Sequence, residues 1–290
     1  MKDKPPTLGD AIRQGTEYLA SHGLETARRD TELLAMNAIG RDRAFLYSHP
    51  EWPVPEEQWQ KLQQWLGRRK DRYPIQYLVG SQEFYGRTFL VDPSVLIPRP
   101  ETELLIETSL RLIPDRQDAR VVDIGTGSGC IAVTLACERP LLRATAIDIS
   151  EEALRVAREN ARRLGCAERI EFVQGDLLKP FESSGRKFDL ILSNPPYGAD
   201  ESPEVEYSVR TFEPQEAVFA GPTGLEIYEG ILRGSAAVLH SSGRLVLEIG
   251  YSQLAGLTAL AKQNGWTLLE CRNDLAGIPR CAVLRKGAGI

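Results

Sequence analysis

From residue 7 to about 72, apolar side chains recur at helical spacing. Leu8, Ile12, Tyr18 and Leu19 form one set. Leu33, Leu34, Met36 and Ile39 form a second, and Trp59, Leu62, Trp65 and Leu66 a third. Residues three and four apart share a helix face, so each set predicts an amphipathic helix. Pro55 and Glu56 suit the first turn of the last one. Residues 1–73 therefore read as a small helical domain. From 74 to 99 the character changes. Two short β-prone pieces between Glu83 and Val91 flank Gly86 and predict a hairpin, so 74–99 reads as a hairpin linker. Pro93, Pro98 and Pro100 punctuate the chain, and a helix is expected from about Pro100 to Leu112.

Beyond residue 119 short apolar runs alternate with helical patterns. Strands are expected at Arg120–Ile124, at Arg143–Ile147 ending on Asp148, at Ile170–Val173, Phe188–Ser193 and Leu245–Ile249, and near 266–271 and 280–285. Helices are expected at Cys130–Cys137, at Glu151–Leu164 with Ser150 as N-cap, from about Leu225 to Leu239, and after Ile249. Strands alternating with helices predict an α/β fold with a doubly wound, mostly parallel sheet over 100–290.

Length and composition narrow the function classes. The chain has 290 residues, 42% hydrophobic and 26% charged, which suits one or two soluble domains. Its net charge is −5, so it lacks the basic excess of proteins that grip phosphate backbones. The densest basic run, Arg68-Arg69-Lys70-Asp71-Arg72, reads as a solvated helix end. Five cysteines without Cys-x-x-Cys and three scattered histidines do not match zinc-ligand spacing, so no metal is expected. The start Met1–Pro6 has no apolar stretch, and no run approaches the roughly 20 residues that span a bilayer. A cytoplasmic protein with reduced thiols and no membrane contact is expected.

Asp123-Ile124-Gly125-Thr126-Gly127-Ser128-Gly129 falls at a strand-to-helix turn. Glycines there allow positive φ and close approach of a ligand. In open α/β sheets ligands bind beyond the carboxyl ends of the strands. Asp148 ends the next strand, where a carboxylate can accept from both ribose hydroxyls of a nucleoside. A dinucleotide fingerprint counted from Gly125 would need a third glycine where Cys130 stands, and no Gly-Lys-Ser/Thr occurs.

Asn194-Pro195-Pro196-Tyr197 follows the fourth strand. Each proline fixes its own φ and holds the preceding residue extended. The Asn194 side-chain oxygen and the Pro195 carbonyl are thereby set to accept from one NH2 group, with Tyr197 offering a flat face to a planar amide or base. Two acceptors pulling on its N–H bonds raise electron density on a nitrogen whose lone pair is delocalised. The segment thus suits methylation of an amide or an exocyclic amine by an electrophilic methyl donor.

With these motifs on the page, the chain resembles the release factor glutamine methyltransferases. The resemblance runs through Pro74–Gly80, Phe84-Tyr85-Gly86, Leu96-Ile97-Pro98-Arg99-Pro100-Glu101-Thr102-Glu103, the glycine loop, Asn194–Tyr197, Glu213-Pro214 and Gly224-Leu225. It implies a Rossmann-like methyltransferase fold at 100–290 and a substrate-recognition role for 1–73. It implies S-adenosyl-L-methionine as methyl donor. The acceptor it implies is the side-chain amide nitrogen of glutamine in the Gly-Gly-Gln motif of class I peptide chain release factors. Gly125, Thr126, Gly127, Ser128, Gly129, Asp148, Asp176, Leu177 and Asn194 are the expected donor-binding residues. Asn194, Pro195, Pro196 and Tyr197, with Arg99 and Glu101, are expected to bind substrate, and Asn194, Pro195 and Tyr197 to act in catalysis. Many members of the family carry an aromatic residue on the adenine where this chain has Leu177. An adenine-N6 or cytosine-N4 nucleic-acid methyltransferase is the alternative, since the same four-residue segment serves an exocyclic amine.

Overall fold

A computed structural model describes residues 5–113, 118–200 and 205–287. Met1–Lys4, part of the N-terminal stretch discussed above, lie outside the described residues. The chain divides into two compact units, Met1–Gly80 and Ser81–Ile290.

The first unit is helical: α1 (Leu8–Ser21), α2 (Ala27–Ile39), α3 (Arg43–Ser48), α4 (Glu56–Arg69) and α5 (Ile75–Val79). Thr7 caps α1 by accepting from Asp10 N, and Asp42 caps α3 by accepting from Phe45 N. Leu8, Leu19, Leu34, Ile39, Leu62 and Leu66 are buried together, whereas Tyr18 is exposed. A Cβ on Gly15 would come within 2.7 Å of Thr31 Cγ2 and 3.0 Å of Leu66 Cδ1, so this glycine lets three helices close on one another. The basic run is not simply solvated. Arg69 turns inward and donates to Asp30 Oδ2 at 2.8 Å, and Arg68 lies over the Tyr73 ring. Helix α5, within the stretch read as linker, packs Ile75 and Leu78 into this core, which is why the units divide after Gly80 rather than at 73.

The second unit begins with the hairpin β1 (Ser81–Phe84) and β2 (Arg87–Leu90). Tyr85 and Gly86 turn it with φ of 50° and 68°, the positive pair that matches strand twist in a two-residue hairpin. Phe84 and Phe89 are buried in the core of this unit, so the hairpin belongs to it rather than forming a linker. The chain continues through α6 (Glu103–Leu112), β3 (Arg120–Ile124), α7 (Cys130–Glu138), β4 (Arg143–Asp148), α8 (Glu151–Arg163), β5 (Ile170–Gln174) and β6 (Phe188–Ser193). Next come β7 (Gly198–Ala199), α9 (Tyr207–Phe212), α10 (Gln215–Val218), β8 (Phe219–Gly221), α11 (Glu226–Val238), β9 (Leu239–Glu248), α12 (Leu254–Gln263), β10 (Trp266–Asn273) and β11 (Pro279–Lys286).

The main sheet has seven strands in the order β10-β11-β9-β6-β3-β4-β5. Strands β9, β6, β3, β4 and β5 are parallel, and β10 and β11 add an antiparallel edge. Side chains alternate between its faces. Val121, Leu190, Leu192 and Val246 pack with α6 and α7; Val122, Ile191, Leu245 and Leu247 pack with α11 and α12. Strand order reverses at β3, which has β4 on one side and β6 on the other. That is the switch point where open α/β sheets leave a crevice. Among the described residues no helix is long and apolar enough to cross a membrane.

Candidate active site

The carboxyl ends of β3, β4 and β6 come together through the sheet register, which pairs Ile124 with Ile147 and with Ser193. Ser193 Oγ donates to Ile124 O at 2.8 Å, and Gly125 N and Thr126 N both donate to Ile147 O, at 2.9 and 3.0 Å. These bonds fix the ends of three strands around one crevice.

The glycine loop divides its work. Gly125 and Gly127 take φ of 67° and 53°, a Cβ on either would meet open space, and both line a cavity of about 290 Å³. Gly129, at φ 80°, packs instead: a Cβ there would stand 3.0 Å from Ala157 Cβ and 3.3 Å from Val133 Cγ2. Of the five loop residues expected to bind the donor, Thr126, Ser128 and Gly129 are not in the cavity wall. Thr126 is buried and donates to Asp123 Oδ2 at 2.6 Å. Ser128 is buried, and its carbonyl accepts from Asn160 Nδ2 at 2.9 Å. Asn160 also holds the backbone of Leu90, which ties the hairpin to the loop. This structural tie had no signal in the helical pattern of the sequence.

Asp148 stands at the cavity wall, its Oδ2 accepting from Gly127 N at 2.8 Å and its Oδ1 from Ser150 N at 3.0 Å. Burial raises its carboxyl, with Glu216 adding repulsion, and the backbone donors oppose the shift. Beneath the loop, burial pushes the Asp123 carboxyl up to about 7, and its Oδ1 has no hydrogen-bond partner among the described residues. Asp176 and Leu177 line the cavity, Asp176 paired with Lys179. Leu177 has φ 50°, a left-handed conformation that L side chains rarely adopt, and Gly230 is the glycine that admits its Cδ1. Ser94, Ile149, Glu216, Phe219 and Ile227 complete much of the wall and were not legible beforehand, and Ile149 is 60% exposed. Asp148, Asp176 and Glu216 line the cavity, and among its described lining residues there is no Lys or Arg. Such a lining suits a cation and disfavours a pyrophosphate.

Asn194, Pro195 and Pro196 form a partition. They line the first cavity and also a second one of about 450 Å³, whose wall includes Arg99, Glu101, Tyr197, Glu206, Glu248 and Arg280. The two cavities therefore meet at Asn194, Pro195 and Pro196. Asn194 Nδ2 donates to Thr102 Oγ1 at 3.0 Å, and Thr102 Oγ1 donates to the buried Glu248 Oε2 at 2.7 Å. Arg99 pairs with buried Glu213 at 2.5 Å, and Glu213 Oε2 also accepts from Ile97 N. Segments about one hundred residues apart in sequence are thus bolted together beside the partition.

Tyr197 is held by residues that pattern reasoning could not find. Its carbonyl accepts from Gln253 Nε2 at 2.9 Å, and a Cβ on Gly250 would stand 2.8 Å from its Cδ2. Burial raises its phenol well above the usual range, with Glu248 adding to the shift, so it stays neutral. Among the described residues no group of three or more His, Cys, Asp or Glu is placed to hold a metal.

Residues 10–80 match the family model for the PrmC N-terminal domain, and 100–217 match that for the methyltransferase small domain. A release factor glutamine methyltransferase of Koribacter versatilis is 43% identical over 281 residues, 97% of this chain and 99% of that protein. One from Nitratidesulfovibrio vulgaris is 40% identical over 97% of this chain and 95% of its own length. Among solved structures, a methyltransferase from Pyrococcus furiosus superposes with a TM-score of 0.52 at 18% identity, over 78% of this chain and 98% of that one, a likeness of fold.

Proposed function

Because the chain belongs to the release factor glutamine methyltransferases, we propose that it methylates the side-chain amide nitrogen of the Gly-Gly-Gln glutamine in class I peptide chain release factors, with S-adenosyl-L-methionine as donor. The observation that carries this reading is the shared wall: Asn194, Pro195 and Pro196 border both the acid-lined cavity and the second cavity. When bound, S-adenosyl-L-methionine supplies an electrophilic methyl on a positively charged sulfur. The lining fits that chemistry. Gly125 and Gly127 leave space for it, Asp148 can accept from the ribose hydroxyls, and Asp148, Asp176 and Glu216 offset positive charge. Ile149 and Leu177 offer aliphatic cover to an adenine.

On the other side, Asn194 Oδ1 and the Pro195 carbonyl take the two hydrogens of the glutamine NH2, and Tyr197 supports the amide plane. Pulling on both N–H bonds concentrates the nitrogen lone pair toward the partition. No strong base is needed, because the nitrogen loses its proton readily once alkylated. Catalysis comes from alignment and from fixed dipoles, each oriented contact contributing on the order of 2–4 kcal/mol. Arg99 and Glu101 line the acceptor side and meet the backbone around the glutamine. The helical first unit grips the release factor away from that residue, and the protein works in the cytoplasm, where its substrate is. Mass spectrometry of a release factor treated with enzyme and donor tests this: a methyl on the Gly-Gly-Gln glutamine is expected. Transfer to DNA or RNA, with none to the release factor, would overturn it.

A further inference from the structure

An asparagine side chain has two ends of similar size and opposite hydrogen-bonding sense. The reaction proposed above needs the oxygen end toward the acceptor cavity. With the amide reversed, its NH2 would face the substrate's NH2, donor against donor.

The neighbours of Asn194 decide the matter by counting hydrogens. A threonine hydroxyl has one hydrogen to give, and an ionised carboxylate can only accept. Thr102 Oγ1 gives its hydrogen to Glu248 Oε2 at 2.7 Å, so toward Asn194 it can only accept, and it does so from Nδ2 at 3.0 Å. Thr102 and Glu248 are 1% and 2% exposed, so water is a poor substitute for either partner. The Asn194 Oδ1 has no hydrogen-bond partner among the described residues and is left for a ligand.

We propose that Thr102 and Glu248 are positioning residues that impose a polarity on the Asn194 amide and so present its oxygen to the substrate NH2, an inference that rests on the reading of Asn194 as acceptor. A protonated Glu248 would reverse the count. It could donate to Thr102 Oγ1, which would free the threonine hydrogen to face Asn194 Oδ1 and allow the unproductive orientation. Burial pushes the Glu248 carboxyl up to about 7, opposed by Thr102 and by Arg280. The groups facing it are Arg99 and Glu101 from the segment before α6, Cys130 of α7, Tyr197 after β6, Tyr228 of α11, and Arg280 and Cys281 of β11. Turnover is therefore expected to fall as pH drops through the range near neutrality.

The test uses the full-length protein, saturating S-adenosyl-L-methionine and a class I release factor, with single-turnover rates measured across roughly pH 5.5–8.5. Thr102→Val keeps the shape and removes the hydroxyl. It should lower the rate roughly 10–100-fold and flatten the acidic limb, while affinity for S-adenosylhomocysteine by calorimetry stays within about twofold. Thr102→Ser restores the hydroxyl and should recover both rate and limb. A Thr102→Val rate within about twofold of wild type, or an acidic limb of undiminished depth, overturns the relay. So does a Thr102→Ser variant as slow as the valine, which would mark the site as packing alone. Absence of transfer by the wild type overturns the substrate reading instead, so the two failures are distinct.

Discussion

The turn after β3 and the corner after β6 border the same crevice at the carboxyl end of one sheet, and they are built by opposite means. The turn works by leaving side chains out. Gly125 and Gly127 open space, Gly129 closes on α8, and the supporting bonds run to Asp123, Ile147 and Asp148 on the two adjacent strands and to Asn160 of α8. The corner works by locking side chains in. Its prolines set the backbone, but Asn194 is oriented by Thr102 and Glu248, and Tyr197 by Gln253 and Gly250. A donor turn held mainly by backbone bonds and local contacts tolerates change in distant parts of the fold. An acceptor site whose orientation depends on four distant partners does not.

This contrast predicts that damage at the corner slows chemistry whereas damage at the turn weakens donor binding. The largest effect is expected for Asn194→Ala, which should lower single-turnover methyl transfer about 10²–10³-fold with donor affinity little changed. A rate near wild type would remove Asn194 from the acceptor role. Asp148→Ala should instead weaken S-adenosylhomocysteine binding in calorimetry by about 1–3 kcal/mol, because Gly127 N and Ser150 N lose their acceptor along with any ribose contact. Equal affinity in mutant and wild type would break the comparison from the other side.

Glu248 offers a test without substrate. Its folded-state carboxyl lies at about 7, above the ordinary 4.5 of an unfolded glutamate. The folded protein therefore holds the proton more tightly, and this contribution to stability is present below about 4.5 and is lost as pH rises through 7. Between those limits the Glu248→Gln variant should gain stability relative to wild type by about 3 kcal/mol, read as a Tm difference of several degrees. A Tm difference constant with pH would contradict the burial argument. The smallest effect is expected for Gly250→Ala. Its Cβ would press on Tyr197 Cδ2 and raise KM for the release factor by roughly fivefold, about 1 kcal/mol, with donor affinity unchanged. An altered donor affinity would show that the partition does not separate the two sites.

Much of the architecture was legible because it is encoded at short range. Short apolar runs and Ser150 as a cap marked β3, β4, β6 and α8 closely. Strand β9 is longer than its apolar run suggested, starting at Leu239 rather than Leu245, because its first half carries polar residues and is held by pairing with β6 at Phe188. The small parallel pair β7 and β8 and the helices α9 and α10 lie between Ser193 and Leu225, where no strand or helix was expected; residues 201–204 lie outside the described residues. The basic run is the solvated end of α4 at Arg68, Asp71 and Arg72, but charge alone does not reveal that Arg69 turns inward to Asp30.

Taken by itself, the order of residues determined the alternation of strands and helices, the bends at the glycines, the stiffness of Asn194-Pro195-Pro196, and the acids that end or follow the strands. Each of these depends on backbone preferences and on neighbours within a few positions. Only the tertiary structure decided that Asn194 meets Thr102 and Glu248, that Glu213 meets Arg99, and that Gly125 and Gly127, not Thr126 or Ser128, face the cavity. Those pairings join strand ends and loops far apart along the chain, and which partner a buried polar group finds is set by how whole elements pack.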